Sequence, residues 1–317
     1  MKFLLLSAYP KHEWLNALLS YADNDAVGRH ELCDDPEEAD VILFVESGQF
    51  DDYLYKTLLQ HPFVRQYPHK VFMYNEVDRP WLTLPGLYAC MPANRYDSSR
   101  QVAFPYLVSP NRFVPQIHRW QLTRDWLFSY VGSTSHPLRK RVAALSDAHA
   151  QVRDTSEFNV WHSTPEERSS QGLVFAESIA RSQFVLCPRG VGTSSYRPFE
   201  SMQAARAPVI ISDDWVAPPH VDWDFAVFVP ESDVESIPEI LKSIEHESLD
   251  RGNAAREAWE MAYAPTMMFD TVARSLEYLM QAPEQEPVPD PWRPVRNWWI
   301  ATETSARLWV RRLRTAA

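Results

Sequence analysis

Apolar residues in this chain fall into short unbroken blocks, separated by stretches in which they recur every third or fourth position. Short blocks bounded by polar turns read as buried strands, and the intervening periodicity reads as helix. The blocks lie at 2–7 (KFLLLS), 40–45 (DVILFV), 70–74 (KVFMY), 125–131 (DWLFSYV), 184–187 and 208–211, with weaker candidates at 86–90, 151–154 and 224–230. Helix-period segments cover 12–21, 51–61, 136–145, 165–181, 198–206, 231–246, 248–264 and 266–281. Strands alternating with helices favour parallel sheets, and the alternation lapses from 105 to 124. The chain therefore divides into a Rossmann-like domain over 1–115, a linker over 116–124, a second Rossmann-like domain over 125–282 and a tail over 283–317. The fold class is α/β with mainly parallel sheets.

One stretch concentrates the candidate chemistry. Residues 184–212 read FVLCPRGVGTSSYRPFESMQAARAPVIIS, a strand, tight loop, helix and strand in succession. Open α/β sheets bind ligands where a strand ends and its helix begins. Free N–H groups and the positive end of the helix dipole suit that corner to phosphate. The loop supplies Arg189, Gly190, Gly192, Thr193, Ser194 and Ser195, which permit close backbone approach and offer hydroxyl donors. Pro198 fits the first helical position, so Arg197 sits near the cap and Glu200 in the first turn. Glu200 either caps a free N–H or accepts hydrogen bonds from ribose hydroxyls, with Arg197 holding a diphosphate by charge-assisted bonds. Gly132 and Ser133, followed by Arg139 and Lys140 on the next helix, make a second corner of the same kind. Two such corners on one sheet would stabilise a departing nucleotide without a metal. In the first domain Glu46, Asn75, Glu76 and Asp78 end strands on the edge where ligands bind.

Composition narrows the functional classes. A chain of 317 residues is long enough for two α/β domains, and 45% hydrophobic residues with 12 tryptophans exclude a disordered chain. The net charge, 31 − 42 = −11, argues against a nucleic-acid partner held by bulk charge. Cys33, Cys90 and Cys187 lie far apart with no CxxC pair, as expected of reduced, buried thiols. The apolar start is too short for a signal peptide and no stretch reaches transmembrane length, so a cytoplasmic location is expected. The tail is proline-rich over 283–294 and helix-like over 295–314, with Trp298, Trp299 and Trp309 and a basic end at Arg307, Arg311, Arg312 and Arg314. Such a helix either packs back across the two domains or lies on the inner face of a membrane. No GxGxxG follows the first strand and no GxSxG or GxxxxGK[ST] is present, which disfavours dehydrogenases, α/β hydrolases and P-loop NTPases. Asp222 and Asp224 flank Trp223 as a turn rather than a metal-binding pair, and the histidines lack metal spacing. Neither a metal nor another cofactor is expected. Asp213 and Asp214 either cap the following segment or touch a bound sugar.

Over 125–241 the chain resembles the C-terminal domain of the exostosin-type (GT47-type) glycosyltransferases. The likeness rests on Cys187 and Pro188 with Gly190, on Arg197 and Glu200 as R-x-x-E, on PVIISD at 208–213 and on WDFAVFVPE at 223–231. LFSYVGSTSHPLRKRV at 127–142 is similar to the family's F-x-G…R element; the first domain shows only a faint likeness. The resemblance implies a GT-B architecture: two Rossmann-like domains face each other across a cleft, and a C-terminal helix packs back across them. It implies that the second domain binds a nucleotide-sugar, with UDP as the expected nucleotide, through Arg197 at the phosphates and Glu200 at the ribose. The first domain would then receive a glycan acceptor. The implied activity is transfer of a sugar to a glycan hydroxyl, as in surface polysaccharide or glycoconjugate synthesis, by a small bacterial-type relative. An inverting reaction needs a base within hydrogen-bond reach of the acceptor hydroxyl, for which Glu46, Glu76 and Asp78 are the candidates. A retaining reaction needs none, and the residues leave both outcomes open. So does a different class, a non-catalytic module that binds a nucleotide-sugar or glycan beside an active synthase.

Overall fold

The computed structural model of the chain describes residues 1–49, 51–108, 111–158 and 163–281, together with 295, 298 and 302. The tail expected to form a basic helix therefore lies outside the described residues, apart from those three positions. In the first half, β1 (Lys2–Leu6), β2 (Glu31–Leu32), β3 (Val41–Glu46), β4 (Val71–Asn75), β5 (Gly86–Tyr88) and β6 (Gln101–Ala103) form one sheet in the order β2-β1-β3-β4-β5-β6. In the second, β7 (Trp126–Gly132), β8 (Ala150–Asp154), β9 (Ser182–Pro188), β10 (Ala207–Ile211) and β11 (Val227–Phe228) form a sheet in the order β11-β10-β9-β7-β8. Every strand pairing is parallel.

The hydrophobic blocks explain the centres of both sheets. All six residues of β3 and all five of β4 and β10 are buried, as parallel strands covered on both faces require. The edges were less legible: β2 and β6, two and three residues long, are too short to display a period. Helices α1 (Glu13–Asp23), α2 (Lys56–Leu59), α3 (Pro62–Gln66), α4 (Pro137–Ala143), α5 (Pro165–Ala180), α6 (Arg197–Gln203), α7 (Ile237–Ser243), α8 (Ser248–Ala262) and α9 (Met268–Gln281) fill the connections. The single helix expected over 51–61 is instead a turn and two short helices. Asp52 accepts the amides of Lys56 and Thr57 at 2.9 and 2.8 Å, Tyr55 adopts a left-handed φ of 53°, and Pro62 opens α3. The segment 231–246 is likewise broken, with 3-10 turns at Glu231–Ser236 and Glu245–Glu247 on either side of α7.

The two halves share one apolar cluster. It runs from Phe3, Leu43 and Tyr74 in the first half through Val114 and Ile117 to Ala176, Met202 and Trp223 in the second. Val114 and Ile117 belong to a 3-10 turn, Val114–Arg119, which overlaps the expected linker and packs on α5 and α6. The assignment of everything up to 282 to the second domain differs from the structure at its end. Helix α9 packs against α1, β5 and β6 of the first sheet. Buried Asp270 on α9 meets Arg29 of the first half at 2.6 Å and Arg274 at 3.0 Å. Periodicity marks an apolar stripe on a helix but not the sheet that receives it. Cys90 and Cys187 are buried and Cys33 is half-buried, all three as free thiols. Among the described residues, no helix is long and apolar enough to cross a membrane.

Candidate functional site

The strand order of the second sheet reverses between β7 and β9: the chain leaves β7 for β8 on one side and reaches β9 and β10 on the other. The crevice outside the carboxyl ends of two such strands is where open α/β sheets take ligands. Gly132 ends β7 and Pro188 ends β9, so the two corners marked in the sequence are neighbours across this crevice. Arg139 on α4 lies over one glycine and Arg197 on α6 over the other. A Cβ added at Gly190 would stand 2.9 Å from Arg139 Nη2, and one added at Gly132 would collide with Arg197 Nη2. Both glycines permit this close approach.

Among the described residues, neither arginine has a carboxylate hydrogen-bond partner. Arg139 donates through Nε to the Arg189 carbonyl at 3.0 Å. Arg197 donates to the Val131 carbonyl at 2.9 Å and rests against the faces of Tyr130 and Phe175. Burial, and then the neighbouring charge of Arg197, lower Arg139 to about 10. Two half-buried cations brought together in this way form a field that a diphosphate would satisfy.

The rest of the loop is built around them. Thr193, Ser194, Ser195 and Glu200 are buried. Ser194 accepts from Trp215 Nε1 at 3.3 Å, Ser212 donates to the Thr193 carbonyl at 3.0 Å, and Tyr130 donates to the Ser133 carbonyl at 2.9 Å. Arg189 turns elsewhere, toward Asp214 at 3.3 Å and Glu231 at 3.7 Å. Asp213 and Glu231 exchange reciprocal amide-to-carboxylate bonds of 3.2 and 2.9 Å, and Asp222 accepts the Asp224 amide at 3.2 Å. These acidic residues brace loops. Arg189, Thr193, Ser195, Ser212 and Trp215 line a shallow depression beside the loop.

The first half contributes three carboxylates of very different standing. Glu46 is 1% exposed and accepts the Ala8 amide at 2.7 Å and the Ser7 hydroxyl at 2.9 Å. It closes the switch point of its own sheet, between β1 and β3, and burial pushes it up to about 7. Glu76 is half-buried beside the Tyr74 hydroxyl at 3.1 Å, and burial raises it to about 8. Asp78 is open to solvent, and a Cβ at Gly192 would stand 2.8 Å from its Oδ1. Desolvation by the surrounding protein raises Asp78, against the pull of Arg139 and Arg79. Of the three, Asp78 meets the glycine loop of the second half.

Residues not anticipated from the sequence complete the junction. Cys90 accepts the Thr193 hydroxyl on its carbonyl at 2.9 Å, and its Sγ lies 2.9 Å from Tyr106 Oη. Tyr106 from the first half stacks on Tyr196 from the second, with centroids 4.0 Å apart and planes at 31°. Tyr196 directly precedes the R-x-x-E pair, a positional signal that could have found it. Tyr106 sits where the periodic pattern lapses and carries no such signal.

The family model described as the Exostosin GT47 domain matches residues 61–244, more than half of the chain. The matched span contains Glu76, Asp78 and both arginine corners. The chain is 30% identical over 130 residues to the Exostosin-1 homolog of Caenorhabditis elegans, covering 40% of this chain and 28% of that protein. It is 38% identical over 98 residues to the probable glucuronosyltransferase GUT1 of Oryza sativa subsp. japonica, covering 30% and 23%. The chain thus spans about a quarter of the length of these curated relatives. Among solved structures, Anabaena HepE in complex with UDP and glucose aligns with 87% of this chain and 99% of its own at 10% identity and a TM-score of 0.40.

Proposed function

The chain belongs to the exostosin GT47 family, and from that membership we propose that it is a glycosyltransferase moving a sugar from a nucleoside diphosphate to a hydroxyl of a glycan. The observation that carries the reading is the convergence of Arg139 and Arg197 at the switch point of the second sheet, facing Asp78 across the junction. The two guanidiniums take the diphosphate of a nucleotide-sugar, UDP-linked by family analogy, and buried Glu200 on the same helix as Arg197 takes the ribose. Charge builds on the departing diphosphate as its bond to the sugar carbon breaks, and both arginines then stabilise it. In an inverting transfer, Asp78 accepts the proton of the acceptor hydroxyl as that oxygen bonds to the sugar carbon. The surrounding protein raises its affinity for protons, the direction that favours a general base.

The test is to incubate the protein with a panel of nucleotide-sugars and follow release of free nucleotide, alongside nucleotide titrations of Arg197→Ala and Glu200→Ala. Each substitution is expected to weaken nucleotide binding by about tenfold or more, the worth of one charge-assisted hydrogen bond. Unchanged binding in both variants would remove the donor-site assignment. The membrane-surface role expected for the tail is tested by liposome sedimentation of the full chain against one ending near Pro283, where equal partitioning would dismiss it.

A further inference from the structure

The glycines of the two corners divide by what stands over them. A methyl added at Gly132 or Gly190 meets second-half atoms, chiefly the guanidinium ends of Arg197 and Arg139. A methyl added at Gly192 meets first-half atoms instead: Cys90 Sγ at 2.7 Å, Asp78 Oδ1 at 2.8 Å and Asp78 Cα at 3.2 Å. All three distances lie inside the roughly 3.5–4.0 Å of ordinary carbon contacts. Gly192 is outside the left-handed region, so its backbone would accept a side chain where the space would not. The surroundings decide which neighbour yields. Cys90 is buried, its Sγ lies 2.9 Å from Tyr106 Oη, and its carbonyl accepts the buried Thr193 hydroxyl at 2.9 Å. Three residues on, the Ala93 amide donates to the Asp214 carbonyl at 2.9 Å, so the 90–93 segment is tied to the second half at both ends. Asp78 is the exposed member. A methyl at 192 is therefore relieved at Asp78, whose carboxylate swings out or whose backbone withdraws.

We propose that Gly192 is a positioning residue whose missing side chain seats Asp78 of the first half against the donor loop, in the field of Arg139. That arginine lies near enough for its charge to act on the Asp78 carboxyl. The loop then carries two kinds of gap. Gly132 and Gly190 make room for the cations that take the diphosphate, and Gly192 makes room for the carboxylate that takes the proton. Thr193 serves the same junction, because its hydroxyl is spent on the Cys90 carbonyl rather than offered to a phosphate. The stacked Tyr106–Tyr196 pair closes the junction beside Cys90.

The inference rests on the transferase reading for its kinetic arm, while a thiol arm is independent of activity. Burial pushes the Cys90 and Cys187 thiols up to about 12, and the thiolate is the reactive form, so both alkylate slowly in the closed fold. Iodoacetamide labelling of the full chain, read site by site by peptide mass spectrometry, compares wild type with Gly192→Ala and Gly190→Ala. In Gly192→Ala the junction is held apart, and Cys90 should label about tenfold faster or more while Cys187, inside the second half, keeps its wild-type rate. Gly190→Ala, whose methyl meets Arg139, should leave Cys90 at the wild-type rate. Three results would overturn the inference: wild-type labelling of Cys90 in Gly192→Ala, equal exposure of Cys90 in both variants, or exposure of Cys187 with Cys90, which would mean that the methyl disrupts the second half itself. In the kinetic arm, Gly192→Ala should lower kcat by about 10- to 100-fold, the cost of misplacing a reacting group, and leave the Kd for UDP within about threefold. In an Asp78→Asn background the same substitution should cost less than about threefold more, because the two act as one unit. The full loss repeated in that background would show that Gly192 does not act through Asp78.

Discussion

Gly132→Ala separates the donor site from the fold more cleanly than removal of the arginine. The added methyl would collide with Arg197 Nη2 and stand 3.2 Å from Cζ and 3.1 Å from the Tyr130 hydroxyl. The chief obstruction is the far end of a flexible side chain, so the guanidinium moves and the backbone stays. Two effects on stability oppose each other. Displacement forfeits one hydrogen bond to Val131 and part of the contacts with Tyr130 and Phe175, together about 1–2 kcal/mol. Alanine in place of glycine, at a position outside the left-handed region, returns about 0.4–1 kcal/mol by restricting the unfolded chain. Net stability should therefore fall by no more than about 1.6 kcal/mol. Nucleotide binding should weaken by about 1.5–3 kcal/mol, the worth of a hydrogen bond to a charged group, or roughly 10- to 150-fold in Kd. Calorimetric titration with UDP beside a urea unfolding curve reads both quantities. Wild-type nucleotide affinity in a folded Gly132→Ala protein would refute the placement of Arg197 at the phosphates.

Three further outcomes follow from the same geometry. Gly86→Ala should cost about 3 kcal/mol or more in urea unfolding, because φ is +150° and the new Cβ would stand 2.8 Å from the Met73 backbone nitrogen; a cost under about 1 kcal/mol would contradict the tight β4–β5 approach. Asp78→Asn should lower kcat by about 10²- to 10⁴-fold and leave nucleotide Kd within about threefold of wild type, an expectation that normal turnover would exclude. Glu46 is held near 7 in the fold against an ordinary 4.5, so its neutral form stabilises the protein below about pH 4.5 and that contribution is lost as pH rises through about 7. Glu46→Gln should therefore recover up to about 3 kcal/mol relative to wild type between those limits, and parallel curves would show the carboxyl to be indifferent.

How far the fold could be read from the sequence followed burial on both faces. β3, β4, β9 and β10 are continuous apolar runs because helices cover them above and below, and their order along the chain predicts parallel sheets with ligand corners at the carboxyl ends. The edges escaped notice, since Glu31–Leu32 and Gln101–Ala103 are too short for a pattern. Helix α9 was visible as a helix but not as a member of the first half. That placement brings Phe269 against Phe3 and Asp270 to Arg29, 241 residues away in sequence, and no local pattern encodes such distant pairs.

The candidate site divides along the same line. Arg139 and Arg197 were legible because each follows a glycine-bearing strand end, and topology alone brings two such ends to one crevice. The first-half carboxylates looked equivalent in the sequence, since all three end strands on the same edge, and only tertiary contacts separate them. Glu46 meets a hydroxyl that also reaches a carbonyl and receives an amide. Ser7 Oγ lies 2.9 Å from Glu46 and 3.1 Å from the Tyr9 carbonyl, and accepts the Tyr9 amide at 3.1 Å. Glu76 repeats the pattern with Tyr74, Pro105 and Leu107. Glu46, which also accepts the Ala8 amide, and Glu76 are thus each tied to a loop of their own half. Asp78 stands two residues beyond Glu76, clear of the strand end, and reaches Gly192 in the opposite half. The transfer proposed above therefore assigns the base to Asp78, the carboxylate that reaches the glycine loop of the opposite half.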